Sequence, residues 1–261
     1  MREIRLRALH EQIVRLGSAE VGALATEHRI SKETVRRDLD RLADAGLIVR
    51  TRGGAAAPGT SLMEIDPQVR ATEQRAEKRA IARTLVDKLV WDGMSIALDT
   101  GSSVLEVARA LRGRKLTVVT NSLPVINELA GTDCLVVVLG GSLRTRSLSM
   151  VGSLTEHATE QFHCDLAVIA APAMTPNSGS WAGIMDTDVD GVAVKRALIR
   201  GSVKSYAVLD HTKFGRTAFM TVCNANELTG VVTDDRCGED TVEQLRALGL
   251  DVIVAAVRAS G

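Results

Sequence analysis

Aromatic side chains are scarce in this 261-residue chain, which contains three Phe, one Tyr and two Trp. Proteins that bind single-stranded nucleic acid commonly stack its bases on such rings. The composition therefore argues against a stacking surface for single strands. The chain is otherwise long enough for one large domain or two unequal domains, and we favour two.

The sequence also lacks a long apolar run. None reaches the roughly 18 residues that a membrane-spanning helix needs. The first residues, MREIRLRALHEQIVRLG, form a charged amphipathic pattern without the apolar core of a signal peptide. We therefore expect a cytoplasmic protein without a membrane partner.

The four cysteines, Cys134, Cys164, Cys223 and Cys237, stand far apart and include no CxxC pair. This spacing supports neither a zinc site nor a disulfide framework. We expect the four side chains to act as small buried hydrophobic groups.

Metal and cofactor motifs are also missing. The segment DTDVDG, residues 186–191, matches the start of a calcium-binding EF-hand loop, but Ala197 occupies the twelfth position, where a bidentate Glu is required. His157, His163 and His211 lack the spacing of a zinc site or a Ser-His-Asp set. We expect no metal and no cofactor, and structural roles for the histidines, with a pocket-lining role left open for His211.

Net charge does not indicate a partner, because 32 basic residues balance 32 acidic ones. The distribution of charge is more informative. Between residues 29 and 52 the chain carries seven basic and four acidic side chains. A modest positive excess is thus concentrated in one short segment.

Apolar spacing predicts two helices before this segment. Residues 4–16 repeat apolar side chains at helical spacing and end at Gly17. A second, shorter helix is predicted from Val21 to His28, with Ser18 as its start signal. We expect it to bury Val21, Leu24 and Ala25.

The basic segment itself predicts a third helix followed by a wing. Ser31 is a good N-cap, and Val35, Leu39 and Leu42 form one buried stripe at i, i+4 and i+7. GLIVRTRGG then breaks the helix at Gly46 and supplies a short β-ribbon. Three helices with a tight turn between the last two, followed by a ribbon, form a winged helix-turn-helix.

The third helix is a candidate reader of double-stranded DNA. Its arginines suit bidentate bonds to guanine edges, and Ser31, Lys32 and Thr34 suit phosphate near the helix N-terminus. The simpler alternative is a solvated helical face in which Arg36 pairs with Asp40. Because the basic residues adjoin both a turn and a wing, we favour DNA binding. The candidate contacts are Ser31, Lys32, Thr34, Arg36, Arg37, Arg41, Arg50 and Arg52.

The character of the sequence changes after the wing. GGAAAPGTSL, residues 53–62, is small and uncharged, which is typical of a linker. A helix predicted from Thr72 to Val90 then leads into seven short aliphatic runs separated by helical segments. The sequence predicts a winged helix-turn-helix domain at 1–57, a connecting segment at 58–71 and an α/β effector-sensing domain with a mainly parallel sheet at 72–261.

Polar loops follow several of these predicted strands, where α/β proteins bind ligands. They read DTGSS at 99–103, TNS at 120–122, GGSLRTRS at 140–147 and DHTKFGR at 210–216. In the first loop, backbone N–H groups, hydroxyl groups and a helix dipole converge on an anion site. An N-cap with a flexible glycine turn is the simpler alternative for that loop alone, but the second loop and Lys213 favour an anion site.

Taken in order, these segments resemble the DeoR family of bacterial transcription regulators. The first part of the resemblance is SKETVRRDLDRLADAGLIVRTRGG, and the second comprises EKRAIA, LDTGSS, TNSLP, LGGSLR, LSMVG, VKRALI and DHTKFGR. The resemblance implies a repressor whose sensor domain shares the fold of ribose-5-phosphate isomerase and binds phosphorylated sugars. The candidate effector-binding residues are Asp99, Thr100, Gly101, Ser102, Ser103, Thr120, Asn121, Ser122, Gly141, Arg144, Lys195, Asp210 and Lys213.

Two positions depart from the family pattern. Pro172 stands where the family often has Asp, and Gly191 stands where it commonly has Glu. Related isomerases use both carboxylates for proton transfer, so their loss removes the groups that acid-base catalysis needs. Asp190 is a partial substitute for the second carboxylate. The departures also separate this chain from the usual effector specificity.

We therefore expect a DNA-binding repressor of carbohydrate-metabolism genes that a phosphorylated metabolite releases, and no enzymatic activity. The expected partners are a double-stranded operator, a phosphorylated sugar or related molecule, and further copies of the chain in a dimer or tetramer. An alternative is a sugar-phosphate isomerase or deaminase with an appended DNA-binding module. Another is a DNA-binding protein whose α/β domain binds no sugar and serves only for oligomerisation.

Overall fold

The computed structural model describes residues 2–16, 18–45, 47–51, 53–56, 60–61, 72–175 and 182–257. The chain divides into two units. The first comprises Met1–Met63 together with Arg216–Phe219, and the second comprises Glu64–Gly215 and Met220–Gly261.

The first unit is a winged helix-turn-helix. Its elements are α1 (Arg2–Leu16), β1 (Ser18–Glu20), α2 (Val21–Glu27), α3 (Lys32–Asp44), β2 (Val49–Thr51), β3 (Gly54–Ala56) and β4 (Thr60–Ser61). β1, β3 and β2 form an antiparallel sheet with β3 in the middle. β4 pairs in parallel with β14 (Thr217–Ala218) of the same unit.

The core of this unit confirms the predicted apolar stripes. Val35, Leu39 and Leu42 of α3 are buried against apolar side chains of α1 and α2. The three residues predicted to be buried in α2 are also buried, and Ser31 caps α3 by accepting a hydrogen bond from the Thr34 N–H at 3.1 Å. Side-chain periodicity alone was therefore sufficient to orient α3.

Two local predictions for this unit were wrong. Ser18 begins strand β1 and is not the start of α2, which itself ends at Glu27. Gly54–Ala56 belongs to the wing sheet and not to a linker. Ala55 is fully buried in this central strand, so its small side chain suits close packing.

The second unit is built on seven parallel strands. They are β5 (Ser95–Leu98), β6 (Thr117–Thr120), β7 (Leu135–Val138), β10 (Cys164–Ile169), β13 (Ser202–Val208), β16 (Gly230–Asp234) and β17 (Asp251–Ala255). Their spatial order is β17-β16-β13-β10-β5-β6-β7. Each predicted aliphatic run overlaps one of these strands, which confirms the predicted α/β class.

Helices cover both faces of the sheet. They are α4 (Arg75–Leu89), α5 (Ser102–Ala110), α6 (Leu123–Leu129), α7 (Ser153–Thr159), α8 (Val189–Arg200) and α9 (Glu239–Ala247). Ile96 and Leu98 of β5 pack in a core with α4, α5 and α6, whereas Ala97 between them packs in a second core with α8 and α9. Strands that are buried on both faces explain the continuous aliphatic runs.

Smaller elements complete this unit. β8 (Ser142–Arg144) and β9 (Ser149–Val151) form a hairpin, and β11 (Ala173–Thr175), β12 (Gly183–Asp186) and β15 (Met220–Asn224) form an antiparallel sheet. Two 3₁₀ turns span His211–Lys213 and Ala225–Glu227.

The predicted helix over 72–90 is shorter in the structure. α4 begins at Arg75 because Gln74 adopts a left-handed conformation, with φ of 49°, that interrupts a right-handed helix. Three of the four cysteines are buried as expected, and Cys134 is half-buried. No helix of the described residues has the length and hydrophobicity that crossing a membrane requires.

Candidate functional sites

The outer face of α3 presents most of the predicted DNA contacts. Lys32, Arg36, Arg37 and Arg41 are exposed, because the buried stripe of the helix lies on the opposite side. Ser31 and Thr34 hydrogen-bond to each other through their hydroxyl groups, which lie 2.8 Å apart. The helix therefore offers several cationic side chains beside an ordered N-terminus.

The ion pairs around α3 differ from the predicted helical pair. Arg36 lies 3.4 Å from Glu33, whereas Asp40 bonds to Arg50 at 2.9 Å. Arg50 also donates to the Gly54 carbonyl at 2.7 Å. Its guanidinium thus ties α3 to the wing, while the predicted contact Arg52 lies outside the described residues.

The predicted effector residues gather at the carboxyl edge of the parallel sheet. The strand order reverses between β5 and β10, and such switch points form ligand-binding crevices in α/β proteins. At this point Asp99 accepts a hydrogen bond from the Ala170 N–H at 3.1 Å. Gly101 has φ of 134°, and a Cβ there would lie 3.1 Å from the Ala170 Cβ. The turn after β5 therefore needs glycine to approach β10.

Gly101 is also the N-cap residue of α5, whose N-terminus receives no side-chain cap hydrogen bond and has no acidic residue in its first turn. Thr100 and Ser102 are half-buried, and Ser103 is buried. Uncapped N–H groups at a helix N-terminus favour anions. The geometry of this loop is therefore compatible with the predicted anion site.

Lys195 lies at the centre of a buried charge cluster. Its ammonium group donates to Asp99 and to the Ala170 carbonyl, the latter at 2.8 Å, and lies 3.4 Å from an Asp186 oxygen. Burial acts to lower the pKa of Lys195, but the two carboxylates raise it overall and keep the group charged. Burial is also the largest influence on Asp99 and raises the pKa of its carboxyl group, against the attraction of Lys195.

Asp186 is the carboxylate that the sequence interpretation missed. It ends β12 and accepts hydrogen bonds from the Thr187 and Asp188 N–H groups at 2.7 and 3.1 Å. Asp190, the predicted substitute, is exposed in the first turn of α8. The only sequence signal was the acidic run 186–190, which resembled an incomplete calcium loop.

The end of β6 holds the second predicted loop. The Thr120 hydroxyl donates to the Leu98 carbonyl at 2.7 Å and accepts from the Ser122 N–H at 3.1 Å. Asn121 donates from its side-chain amide to the Met150 carbonyl at 2.9 Å. Its buried carbonyl oxygen has no hydrogen-bond partner in the part of the chain that the structure describes. The Asn121 side chain thus has a buried hydrogen-bond acceptor to which no described residue donates.

The β8–β9 hairpin brings the third predicted loop beside the first. The Thr100 hydroxyl donates to the Ser147 carbonyl at 3.3 Å. Arg144 lies 3.3 Å from Asp188, which caps α8. A Cβ on Gly141 would lie 2.0 Å from the Thr155 hydroxyl oxygen, so only glycine fits before β8.

The fourth predicted loop follows β13. Asp210 is fully buried, and the Lys213 ammonium, in a side chain that is 17% exposed, lies 3.8 Å from its carboxylate. His211 donates its backbone N–H to Asp234 at 2.7 Å, and its ring Nδ1 lies 2.9 Å from the same carboxylate. No hydrogen bond or ion pair joins Asp210 or Lys213 to the other predicted effector residues within the described ranges.

Two family models match this chain, one in each of its two units. The family model for the DeoR-like helix-turn-helix domain matches residues 5–60, and that for the DeoR C terminal sensor domain matches residues 73–235. These two matches define a transcription regulator with a DNA-binding domain and a sensor domain. The chain belongs to the DeoR family.

Relatives in this family include named repressors. The glycerol-3-phosphate regulon repressor of Escherichia coli is 32% identical over 88% of this chain and 90% of its own length. The lactose phosphotransferase system repressor of Staphylococcus aureus is 29% identical over 93% of this chain and 95% of its own length.

Solved structures show weaker likeness. Ribose 5-phosphate isomerase A of Methanocaldococcus jannaschii aligns with a TM-score of 0.38 and 15% identity over 52% of this chain and 53% of that one. Translation initiation factor eIF-2B of Pyrococcus horikoshii aligns with a TM-score of 0.42 and 17% identity over 60% of this chain and 62% of that one.

The buried cluster of Lys195, Asp99 and Asp186 should contribute to the stability of the fold. Lys195→Met leaves Asp99 and Asp186 buried without their cation, so we expect the free energy of unfolding to fall by about 3 to 5 kcal/mol. Adding Asp99→Asn should recover part of this loss, because the two side chains interact directly. Urea unfolding, monitored by circular dichroism, measures the free energy of unfolding of both variants.

Lys204→Met is the matched control, since Lys204 is exposed on β13 and its replacement should change the free energy little. Equal stability of the Lys195 and Lys204 variants would contradict a structural role for the buried cluster.

Proposed function

We propose that this protein is a sequence-specific repressor of carbohydrate-metabolism genes and that a phosphorylated sugar or related metabolite releases it from DNA. The observation that carries the proposal is the combination of two sites in one chain. An exposed basic face lies on a winged helix, and polar loops border an uncapped helix N-terminus at the switch point of a parallel sheet.

The two named relatives support the choice of effector class. One carries glycerol 3-phosphate in its name and the other a phosphotransferase system, and both are named as repressors. Phosphorylated metabolites suit the candidate site chemically, because a helix N-terminus and a lysine both attract phosphate.

The charges at the site favour Lys213 as the phosphate anchor. Lys195 contacts two carboxylates, which together outweigh its single positive charge, so its cluster does not attract a phosphate. Lys213 is less buried and lies at 3.8 Å from a single carboxylate. We assign phosphate to the Thr100–Ser103 turn and Lys213, and we assign ligand hydroxyl groups to acceptors such as Asn121.

The ligand should leave the pocket chemically unchanged. Pro172 and Gly191 remove two carboxylates that proton transfer would use, and Asp186 is held by Lys195 and two backbone N–H groups. The proposed sensor therefore binds without turnover.

We expect operator binding to depend on the arginines of α3. Arg36→Ala and Arg37→Ala should each keep the fold, and loss of a bidentate base contact should weaken binding by about 1 to 3 kcal/mol. Fluorescence anisotropy with a DNA fragment recovered by chromatin pull-down measures the affinity. Affinity should also fall steeply with salt, because phosphate contacts release counterions.

Arg7→Ala supplies the arginine control, since this side chain is 81% exposed on α1 and pairs with Glu11. Operator affinity that is unchanged in both α3 variants would refute DNA recognition by this helix.

We expect ligand stabilisation to require the phosphoryl group. Thermal-shift measurements should show stabilisation by glycerol 3-phosphate or a hexose 6-phosphate and none by glycerol or the free hexose, because only ligands that bind the native state raise its stability. Lys213→Met should reduce the shift, and Lys204→Met should not. Equal stabilisation by phosphorylated and free forms would exclude a phosphate anchor.

Effector and operator should weaken each other's binding by the same factor, since coupling of binding free energies is reciprocal. Isothermal titration of the stabilising sugar phosphate with and without operator DNA measures this factor. Identical affinities would rule out the allosteric link. Recovery of a converted sugar phosphate by NMR would favour an isomerase instead.

A further inference from the structure

Strand β14 lies in the segment Arg216–Phe219, which belongs to the first unit although the residues on both sides of it belong to the second. Just before this segment, the Gly215 N–H donates to the Met174 carbonyl of β11 at 2.9 Å. Just after it, β15 begins at Met220 and pairs with β12. Since β11, β12 and β15 form one antiparallel sheet, both ends of the segment are tied to that sheet.

The pair that β14 forms with β4 is small. Thr217 pairs with Thr60 and Ala218 pairs with Ser61, so only two residues of each strand take part. Each backbone hydrogen bond adds little net stability, because the separated groups bond to water instead. Opening such a pair lies within the roughly 5- to 150-fold shift in affinity that one ligand imposes on another in allosteric proteins. A pair of this size can form in one arrangement of the protein and separate in another.

Both ends of the segment adjoin the candidate effector site. Lys213 stands three residues before Arg216. At the other end, Met220 pairs in register with Asp186, the carboxylate that lies 3.4 Å from Lys195. Four extended residues span at most about 14 Å, so the segment has little slack. A displacement of either end therefore displaces β14.

The contact that holds the Lys213 ammonium group is weak enough for a ligand to replace. The group lies 3.8 Å from the Asp210 carboxylate, which is longer than a hydrogen bond. A phosphate at the Thr100–Ser103 turn would attract the same group through a charge-assisted bond. Phosphate binding is therefore expected to shift the loop that leads into β14.

We infer that the β4–β14 pair couples effector binding to operator binding. The pair is formed in the arrangement that binds operator, and it separates when a phosphorylated sugar draws Lys213 toward the Thr100–Ser103 turn. Because β4 begins at Thr60, shortly after the wing strand β3, its release acts on the DNA-binding unit. This coupling role rests on the proposed function and adds the contact through which the two sites communicate.

A disulfide tests whether the pair must open. Neighbouring strands lie about 4.8 Å apart, which is within the Cα separation that a disulfide spans. Thr60→Cys combined with Thr217→Cys should therefore cross-link on mild oxidation, as a mobility shift on a non-reducing gel would show. Each single variant is a matched control, since it retains the native cysteines but lacks the new pair.

Fluorescence anisotropy with the DNA fragment recovered by chromatin pull-down measures the coupling. In the wild type, the single variants and the reduced double variant, glycerol 3-phosphate or glucose 6-phosphate should weaken operator binding by at least about fivefold. The oxidised double variant should bind operator as the reduced form does, but the sugar phosphate should no longer weaken that binding.

The rate of cross-linking gives a readout that needs no DNA. Separated strands cannot form the disulfide, so the sugar phosphate should slow oxidation of the double variant in a fixed glutathione buffer. Free glucose or glycerol should not slow it. Adding Lys213→Met to the double variant should abolish the slowing.

A second variant tests the slack of the segment without a cross-link. Two glycine residues inserted between Gly215 and Arg216 should preserve the fold and each separate affinity but reduce the coupling, because movement of the loop is no longer passed to β14. The same insertion beside Gly249, in the turn before β17, is the control and should leave the coupling unchanged.

Four outcomes would each overturn the coupling role of this pair. They are absence of the disulfide after oxidation, loss of operator binding on oxidation, equal coupling in the oxidised and reduced double variant, and a cross-linking rate that the sugar phosphate does not change. In each case the wild type would still show coupling, and the proposed function would stand. A wild type without coupling would instead refute the proposed function together with this role of the pair.

Discussion

A buried ammonium group requires negative partners, and Lys195 has them only when four chain segments meet. Asp99 comes from the end of β5, the Ala170 carbonyl from the end of β10, Asp186 from the end of β12, and Lys195 itself from α8. Leaving any of these charges buried alone costs several kcal/mol. The cluster therefore fixes α8 against the switch point and sets the shape of the loops around it.

Much of the fold was predictable because burial imposes simple patterns. Strands that pack helices on both faces must be aliphatic throughout, so the seven strands of the parallel sheet are visible as apolar runs. The stripe of α3 was visible for the same reason. Strands β1 and β3 were not visible, since three-residue segments of small or polar side chains carry no period. Only the packing of the wing determines that Gly54–Ala56 is a central strand.

The candidate sites were predictable where a residue follows a predicted strand and not where it acts through a distant partner. Asp99 and Asn121 could be placed because the ends of parallel strands share one edge. Asp186 could not, since its contact with Lys195 depends on where β12 ends. The Arg50–Asp40 pair likewise joins a helix to a wing, whereas sequence spacing reveals only pairs within one helix.

The first unit takes residues Arg216–Phe219 from far along the chain, just after the segment that holds Lys213. Strand β4 follows the wing, and its partner β14 lies within Arg216–Phe219. The helix-turn-helix itself is contiguous, at residues 5–60, but the unit that contains it includes one short strand from late in the chain. Recombination that exchanges sensor domains at a single junction after Met63 would separate β4 from β14, whereas a junction before β4 would take both strands from the same parent.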